Sequence, residues 1–209
     1  MLRLSPDAHE LPGLLPAAGR MLGLTGAPGA GKSTLAALLA ARHGATVVPM
    51  DGFHLADVEL ERRGLRQAKG AAETFDVLGY AALLRRVRDR EDLVLAPMFE
   101  RDLEQPVAGA LPVRGEAELV VTEGNYLLLP QQPWPRVRAQ LDTVWHVVTD
   151  EDLRLERLLA RHMRFGKTPA EARAWVERVD GPNGVLIEAV AERADLVLDL
   201  TDLATWEAS

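Results

Sequence analysis

Residues 26–34, with the sequence G-A-P-G-A-G-K-S-T, are the segment that most constrains how this chain can fold. They match the pattern G-x-x-x-x-G-K-[ST] and lie between an apolar run, Met21–Thr25, and a segment, Ser33–His43, whose leucines recur at helical spacing. Glycines at these positions let successive backbone N–H groups turn inward and hold phosphate oxygens at a helix N-terminus, where the helix dipole also favours negative charge. The segment therefore predicts a strand, a phosphate-binding loop and a helix in succession.

The loop also predicts what binds there. Lys32 is expected to reach the β- and γ-phosphates of a nucleotide, and the Ser33 hydroxyl is expected to ligate Mg²⁺. The guanine-reading sequence N-K-x-D and the transport-ATPase sequence L-S-G-G-Q do not occur in the chain, so neither a switch GTPase nor a transport ATPase is indicated. The predicted nucleotide-binding residues of the loop are Gly26, Ala27, Pro28, Gly29, Ala30, Gly31, Lys32, Ser33 and Thr34.

The rest of the chain predicts one α/β domain over residues 1–209. With 47% hydrophobic and 26% charged residues, the 209-residue chain can bury one sizeable core. Short β-type runs alternate with helical patterns, which favours a mostly parallel sheet. Predicted strands are Met21–Thr25, Thr46–Met50, Leu93–Ala96, Leu119–Thr122, Thr143–Val148 and Leu196–Leu200, and predicted helices include Ser33–His43, Tyr80–Arg90 and Asp152–Met163. Residues 97–115, rich in proline and glycine, are expected to form a long irregular connection.

Composition excludes several classes of function. Cysteine is absent, so disulfides, thiolate catalysis and cysteine-based zinc sites are excluded. The net charge of −7 argues against a nucleic-acid-binding surface. The N-terminal sequence does not resemble a signal peptide, and the chain has no run of about 18 apolar residues, the length that a membrane-spanning helix needs. We expect a soluble, cytoplasmic protein with a small-molecule substrate and neither nucleic acid nor membrane as partner; whether it forms a homodimer is left open.

Two acidic residues follow predicted strands. Asp51 ends the apolar run of residues 47–50, and Glu123 follows Leu119–Thr122. Ligands of a parallel sheet gather at the carboxyl ends of its strands, so Asp51 is expected to face the γ-phosphate from the acceptor side. A carboxylate there can accept the proton of an attacking hydroxyl and help organise Mg²⁺. Glu123 is expected to hold a magnesium-bound water. The alternatives are a turn or helix-capping aspartate and a solvated glutamate.

A basic stripe on the helix predicted near residue 152 suggests a lid over residues 154–170. Its members recur at helical spacing opposite the leucines and are Arg154, Arg157, Arg161 and Arg164. Such cations can neutralise charge on a transferring phosphoryl group, and a closing lid excludes water. Gly166 could serve as the hinge. The plain alternative is a solvated helix face.

Six segments occur in a recognisable order. After the loop come M-D-G-F-H-L (50–55), K-G-A-A-E-T-F-D (69–76), A-P-M-F-E-R (96–101), E-G-N-Y-L-L-L (123–129) and the R-L-x-x-R-H stretch (157–162). From about residue 20 to 200 the chain resembles the uridine kinase, phosphoribulokinase and bacterial pantothenate kinase group, especially its short nucleoside-kinase-like and fructose-transport-kinase-like branch. The resemblance implies a three-layer P-loop NTPase fold, with a five-stranded mostly parallel sheet, flanking helices and a small lid.

The resemblance also implies an ATP- and Mg²⁺-dependent kinase for a small hydroxyl compound. It makes Asp51 the base, places Lys32, Ser33 and Thr34 on ATP and magnesium, and puts Glu123 in the position of the second acid. Arg157 and Arg161 would lie on or beside the lid. The residues expected at the acceptor are Phe53, His54, Lys69, Glu73, Arg101 and Tyr126, and Asn183 is expected near the adenine.

The acceptor itself is not specified by these motifs. Uridine kinases usually have serine and tyrosine around the phenylalanine where this chain has Gly52, Phe53 and His54, and pantothenate kinases, which share D-G-F, are longer. A sugar- or nucleoside-like alcohol is the first expectation and pantothenate the second. An ATP-dependent switch that binds a protein partner is the alternative from another class.

Overall fold

The computed structural model describes residues 3–4, 11–15 and 20–202. The β-strands of this part are β1 Arg3–Leu4, β2 Met21–Thr25, β3 Thr46–Pro49, β4 Leu93–Glu100, β5 Gln105–Arg114, β6 Val120–Glu123, β7 Thr143–Val148 and β8 Leu196–Asp199. The α-helices are α1 Leu11–Leu14, α2 Lys32–His43, α3 Asp57–Arg62, α4 Val77–Arg88, α5 Pro135–Arg138, α6 Glu151–Arg164, α7 Pro169–Trp175 and α8 Gly181–Glu188. Short 3₁₀ turns form at Met50–Phe53, Arg66–Ala68, Ala72–Thr74 and Ala191–Arg193, and a π-helical turn at Val176–Asp180.

The main sheet is parallel and has the strand order β1-β8-β7-β2-β6-β3. Its five strands from β3 to β8 confirm the predicted parallel sheet, and the two-residue β1 adds a short edge. Strand β2 lies in the middle, between β6 and β7. In register, Glu123 at the end of β6 faces Leu24 of β2 and Pro49 of β3. The loop after β2, the segment after β3 and Glu123 therefore meet at one edge of the sheet.

Helices cover both faces of the sheet, which gives the predicted three layers. On one face, Leu35 and Leu39 of α2 pack against inward side chains such as Leu24, Val121 and Trp145. On the other face, side chains of α4, α5 and α8 pack against alternate strand residues; these are Tyr80, Leu84, Val137, Ile187, Met21, Val48, Val120 and Val144. Strands buried on both faces need apolar residues at every position, which explains their unbroken apolar runs.

The strand predicted at Leu93–Ala96 is present as the first half of β4, but the irregular connection predicted for residues 97–115 is wrong. Leu93–Ala96 is not a strand of the parallel sheet, and residues 97–115 are not irregular: β4 and β5 form a separate antiparallel hairpin with a bulge between Ala96 and Met98. Val94 and Ala96 are buried against the core while Leu95 is exposed, the alternation of a sheet with one solvated face. Proline cannot donate a ladder hydrogen bond, but it is tolerated here because both strands of a two-stranded sheet are edges.

The second half of the domain holds a cluster of short helices beside the phosphate loop. Helix α6 begins at Asp150, whose side chain accepts a hydrogen bond from the Leu153 N–H. Helix α7 begins at Thr168 with a capping box to Glu171, as the sequence Thr168-Pro169 predicts. The segment predicted as a lid, 154–170, thus consists of most of α6, a turn and the start of α7. No helix in the described ranges is long and apolar enough to cross a membrane.

Candidate active site

A cavity of about 420 Å³ opens at the carboxyl edge of the sheet. It is bounded by the phosphate loop, the ends of β3 and β6, the turns after α3, the tip of the hairpin, and α6 to α8. The side chains that determine its chemistry are Lys32, Ser33, Asp51, His54, Lys69, Arg101, Glu123, Arg161, His162, Lys167, Asp180 and Asn183. Parallel α/β sheets bind ligands at this edge, so the fold places the predicted site where such sites occur.

The phosphate loop has the backbone geometry that its glycines predict. Gly26 has φ +149°, and a Cβ built there would lie 2.2 Å from the Val147 carbonyl oxygen, so no side chain fits. Gly31 (φ +101°) precedes the first turn of α2. Pro28, Lys32 and Ser33 of the loop line the cavity, whereas Thr34 is exposed on α2 and is not part of the cavity lining.

Lys32 is buried against its own loop. Its Nζ donates hydrogen bonds to the carbonyl oxygens of Gly26 at 2.8 Å and Ala27 at 3.0 Å. Burial lowers the pKa of Lys32 to about 8, and the positive charge of Arg161 acts in the same direction, while Glu123 and Asp51 oppose it. Phosphate oxygens are stronger partners for an ammonium than neutral carbonyl groups. Lys32 is therefore a cation suited to receive an anion.

Ser33, Glu123 and Asp51 form an oxygen-rich corner of the cavity. The Ser33 hydroxyl lies 3.2 Å from Glu123 Oε1 and donates to it. Burial raises the pKa of Glu123, and the negative charge of Asp51 raises it further. Mg²⁺ prefers oxygen ligands and commonly takes one or two carboxylates together with substrate phosphates. The described residues contain no cluster of three or more His, Cys, Asp or Glu side chains that could hold a metal ion. With two carboxylates and one hydroxyl, this corner supplies oxygen donors of the kind that a phosphate-bound Mg²⁺ takes.

Asp51 lies in the 3₁₀ turn that follows β3 and lines the cavity together with Lys32. Arg101, from the tip of the hairpin, approaches it with Nη2 at 3.3 Å from Asp51 Oδ2. The next residue, Gly52, allows the hairpin to lie directly against this turn, since a Cβ on Gly52 would be 2.3 Å from the Pro97 carbonyl oxygen. The glycine thus brings together two chain segments, one with Asp51 and one with Arg101.

The side of the cavity formed by His54, Phe75, Phe99 and Lys69 is aromatic and basic. The imidazole of His54 lies between Phe75 and Phe99, with ring centroids 4.1 and 4.9 Å away. Its Nδ1 donates to the Asp51 carbonyl oxygen at 2.8 Å, and burial lowers the pKa of His54, which favours the neutral ring. Lys69 donates to Asp57 at 2.7 Å and lies 5.4 Å from the Phe99 ring centroid. This compartment offers ring surfaces and hydrogen-bonding groups to a small polar molecule.

Four of the predicted catalytic and acceptor-site residues do not line the cavity. Phe53 is buried against Tyr80, with ring centroids 4.6 Å apart. Tyr126 is fully buried and donates its hydroxyl to the Gly70 carbonyl oxygen at 2.6 Å, so it supports the wall from behind. Glu73 lines a second cavity on the other side of Phe75. Arg157 is also absent from the cavity lining, and its Nη1 is buried without a hydrogen-bond partner in the described part of the chain.

The predicted arginine stripe is not a single solvent-facing row. Arg154 is buried on the same side of α6 as Leu158, which corrects the prediction that all four arginines lie opposite the leucines. Its Nη1 donates to the Pro28 carbonyl oxygen at 2.9 Å, and its other nitrogens bind Glu151. Arg154 therefore holds the phosphate loop in place from outside. Of the four arginines, only Arg161 lines the cavity.

Several residues of the helical wall carry no local sequence signal. His162 Nε2 lies 2.7 Å from Asp180 Oδ2, which joins α6 to the π-helical turn. Trp175 borders the cavity beside Lys167. Phe165 lies 5.5 Å from the Arg101 guanidinium and so connects α6 with the hairpin tip. The R-H pair at 161–162 was in view as a motif, but its partner Asp180 is 18 residues away and only the fold brings them together.

A parallel sheet with the phosphate-loop strand at its centre, flanked by helices and with acids at the neighbouring strand ends, defines a P-loop nucleotide-binding protein. No family model matches the chain. The chain is 34% identical over 205 residues to the Schizosaccharomyces pombe protein C227.14, which is provisionally named a uridine kinase. The matched segment covers 90% of this chain and 86% of that protein. A pantothenate kinase of Halalkalibacterium halodurans is 33% identical over 115 residues, 52% of this chain and 36% of that enzyme.

Among solved structures, that of a provisionally assigned fructose transport system kinase from Silicibacter sp. TM1040 superimposes with a TM-score of 0.77. The two are 37% identical, and the match covers 91% of this chain and 96% of the other. The chain belongs to the P-loop kinase family of the uridine kinase, pantothenate kinase and phosphoribulokinase type. This confirms the family resemblance and the fold predicted from the motifs.

Proposed function

We propose that the protein transfers the γ-phosphoryl group of Mg²⁺-ATP to a hydroxyl of a small polar metabolite. The observation that supports this most is the position of Asp51, which lines one cavity with Lys32 and Ser33 and pairs with Arg101 of the aromatic and basic compartment. A nucleotide held by the loop would direct its terminal phosphate toward Asp51. A kinase needs this arrangement, because the acceptor must approach the phosphate in line from the side away from the leaving group.

The residues of the chain divide the work by position. The loop N–H groups and Lys32 hold the phosphates, and Arg161 adds positive charge from α6. Ser33 and Glu123, with Asp51 nearby, would hold Mg²⁺, which would supply positive charge to neutralise the phosphates. Asp51 accepts the proton of the acceptor hydroxyl, and Arg101 holds the Asp51 side chain in its position facing the cavity. Catalysis of this kind rests on positioning and charge neutralisation.

The acceptor compartment favours a compact, polyhydroxylated molecule with a ring or a short chain. His54, Phe75 and Phe99 supply flat apolar surface, and Lys69 and Arg101 supply hydrogen-bond donors. A sugar- or nucleoside-like alcohol fits this combination and is our first candidate. Pantothenate, the substrate in the name of one relative, is the second.

A coupled assay over a panel of hydroxyl compounds tests the proposal. The panel should include hexoses, pentoses, nucleosides and pantothenate, each with Mg²⁺-ATP, and the products should be identified by mass spectrometry. We expect one class to stimulate ADP formation and to yield one phosphorylated product per ADP. If no compound stimulates ADP release while nucleotide changes the binding of a protein partner, the chain is an ATP-dependent switch and the proposal is wrong.

A further inference from the structure

The cations that line the cavity differ in whether they have an anionic partner. Lys69 and Arg66 share Asp57, with nitrogen–oxygen distances of 2.7 Å each, and Arg101 pairs with Asp51. Lys32 is bonded to loop carbonyl groups. Besides Lys32, Arg161 and Lys167 are the lysine and arginine side chains of the cavity lining, within residues 20–202, that have no carboxylate inside ion-pair distance. Arg161 is already expected to bind phosphate, whereas the sequence motifs assign no role to Lys167.

The position of Lys167 is fixed by its backbone. Its N–H donates to the His162 carbonyl oxygen at 3.1 Å, which closes the end of α6, and Thr168 after it begins α7 with a capping box. Gly166 has φ +92° and makes the sharp turn that this geometry requires. A lysine between two capped helices is held in place far better than one on an open loop.

The side chain of Lys167 rests on an aromatic ring. Its Nζ lies 4.9 Å from the ring centroid of Trp175, within the range of a cation–π contact. The positive charge of Lys167 lowers the pKa of Glu171, but the Glu171 carboxylate already accepts hydrogen bonds from the Thr168 hydroxyl and N–H. A cation–π contact stabilises an ammonium by only about 0.5–2 kcal/mol. A phosphate oxygen would be a stronger partner.

The residues just before Lys167 lie beside the phosphate loop and the hairpin tip. Arg161 is close enough to Lys32 for its charge to lower the pKa of that lysine. Phe165, one turn further along, contacts Arg101, which in turn pairs with Asp51. The end of α6 therefore spans the gap between the phosphate loop and Asp51, and Lys167 follows directly.

We propose that Lys167 is a second lid cation, which leaves the Trp175 ring to bind the terminal phosphate of ATP. The pair of phosphate-binding cations contributed by the lid is then Arg161 and Lys167, with Arg157 outside the cavity. This inference rests on the proposed phosphoryl transfer, because only a nucleotide with a γ-phosphate provides the partner. Lys167 acts on the transferring group itself and is in that sense a catalytic residue.

The test compares Lys167→Met with Arg178→Met. The Arg178 guanidinium also lies near the Trp175 ring, at 5.4 Å, but Arg178 does not line the cavity, so it is a matched control. Binding of the non-hydrolysable analogue Mg²⁺-AMP-PNP and of Mg²⁺-ADP is measured by calorimetry. For Lys167→Met we expect at least about tenfold weaker binding of the triphosphate, the scale of a hydrogen bond to a charged group. Affinity for ADP should stay within about twofold, and Arg178→Met should leave both affinities unchanged.

Three results would overturn parts of this account, and they can be told apart. If Lys167→Met binds both nucleotides like the parent, Lys167 does not contact the phosphate. If it weakens ADP and triphosphate equally, its role is packing of the lid on Trp175. If the parent protein binds neither nucleotide, the proposed function fails together with the inference. Lys167→Arg, which keeps the charge, should recover most of the triphosphate affinity only if the contact is ionic.

Discussion

Gly52 carries the sharpest structural prediction, because the hairpin backbone occupies the space where its side chain would be. A Cβ added to Gly52 would lie 2.3 Å from the Pro97 carbonyl oxygen, 2.7 Å from the Pro97 carbonyl carbon and 3.2 Å from the Met98 nitrogen. Backbone atoms cannot swing away as a flexible side chain can. To restore an ordinary contact near 3.4 Å, Gly52→Ala must move the hairpin or the Asp51 turn by about 1 Å.

The cost of this movement has two parts. Forcing a methyl group into a packed site usually costs about 1–3 kcal/mol of stability. A shift of about 1 Å also separates Asp51 from the acceptor side chains on the hairpin, and a displacement of that size can lower a rate by about 10²-fold. The phosphate loop belongs to neither the hairpin nor the Asp51 turn, so nucleotide affinity should change by no more than about threefold.

Urea unfolding, calorimetric nucleotide binding and acceptor-dependent turnover together measure these parts. Gly184→Ala is the matched control, because a Cβ there would make an ordinary contact of 3.9 Å with the Cβ of Ala27. Since Gly184 lies in α8, alanine should leave the control equally stable or up to about 1 kcal/mol more stable. If Gly52→Ala unfolds at the parent urea concentration and turns over at the parent rate, the hairpin does not lie against Asp51 as described.

Two further predictions concern the phosphate loop. Because the pKa of Lys32 is about 8 with no phosphate bound, the lysine is mostly neutral at about pH 9, and a phosphate must restore its proton. Binding of Mg²⁺-AMP-PNP should therefore take up more protons at about pH 9 than at about pH 7, measured by calorimetry in two buffers of different ionisation enthalpy; Lys32→Met should abolish the difference, and equal uptake by parent and variant would contradict the assignment. Arg154→Met leaves the Pro28 carbonyl oxygen without its donor and should lower the free energy of unfolding, measured in urea, by about 1–3 kcal/mol. Arg164 is exposed on the same helix, so Arg164→Met should change stability by less than about 0.5 kcal/mol. Similar losses in the two variants would refute a specific role for Arg154.

The parts of the fold that could be predicted from the sequence are the strands and helices that a local pattern of apolar residues marks. Met21–Thr25 and Thr143–Val148 have the predicted bounds, β3 and β8 end one residue earlier than predicted, β6 is shifted by one residue, and the two-residue β1 was not predicted. Unbroken apolar runs and helical leucine spacing are strong signals because burial requires them. Leu93–Ala96 was predicted as a strand, but the hairpin of β4 and β5 was missed because the prolines and glycines of residues 97–115 suggest coil.

The site divides in the same way. Lys32 and Ser33 were predicted from the phosphate-loop motif, and Asp51 and Glu123 were predicted because each lies at a strand end. Contacts between distant segments were not predictable. The pair His162–Asp180 and the contact of Arg101 with Phe165 depend on how α6 to α8 pack over the sheet, which no local pattern encodes.

Turnover and nucleotide binding of Asp51→Asn test the central claim most directly. The amide keeps the shape of the side chain but cannot accept the proton of the acceptor hydroxyl. Turnover with the active acceptor should therefore fall by at least about 10²-fold. The affinity of Asp51→Asn for Mg²⁺-ADP should stay within about threefold of the parent value, because the phosphate loop and Lys32 hold the phosphates. If Asp51→Asn turns over at nearly the parent rate, Asp51 is not the base, and the site does not work as a kinase in the way proposed.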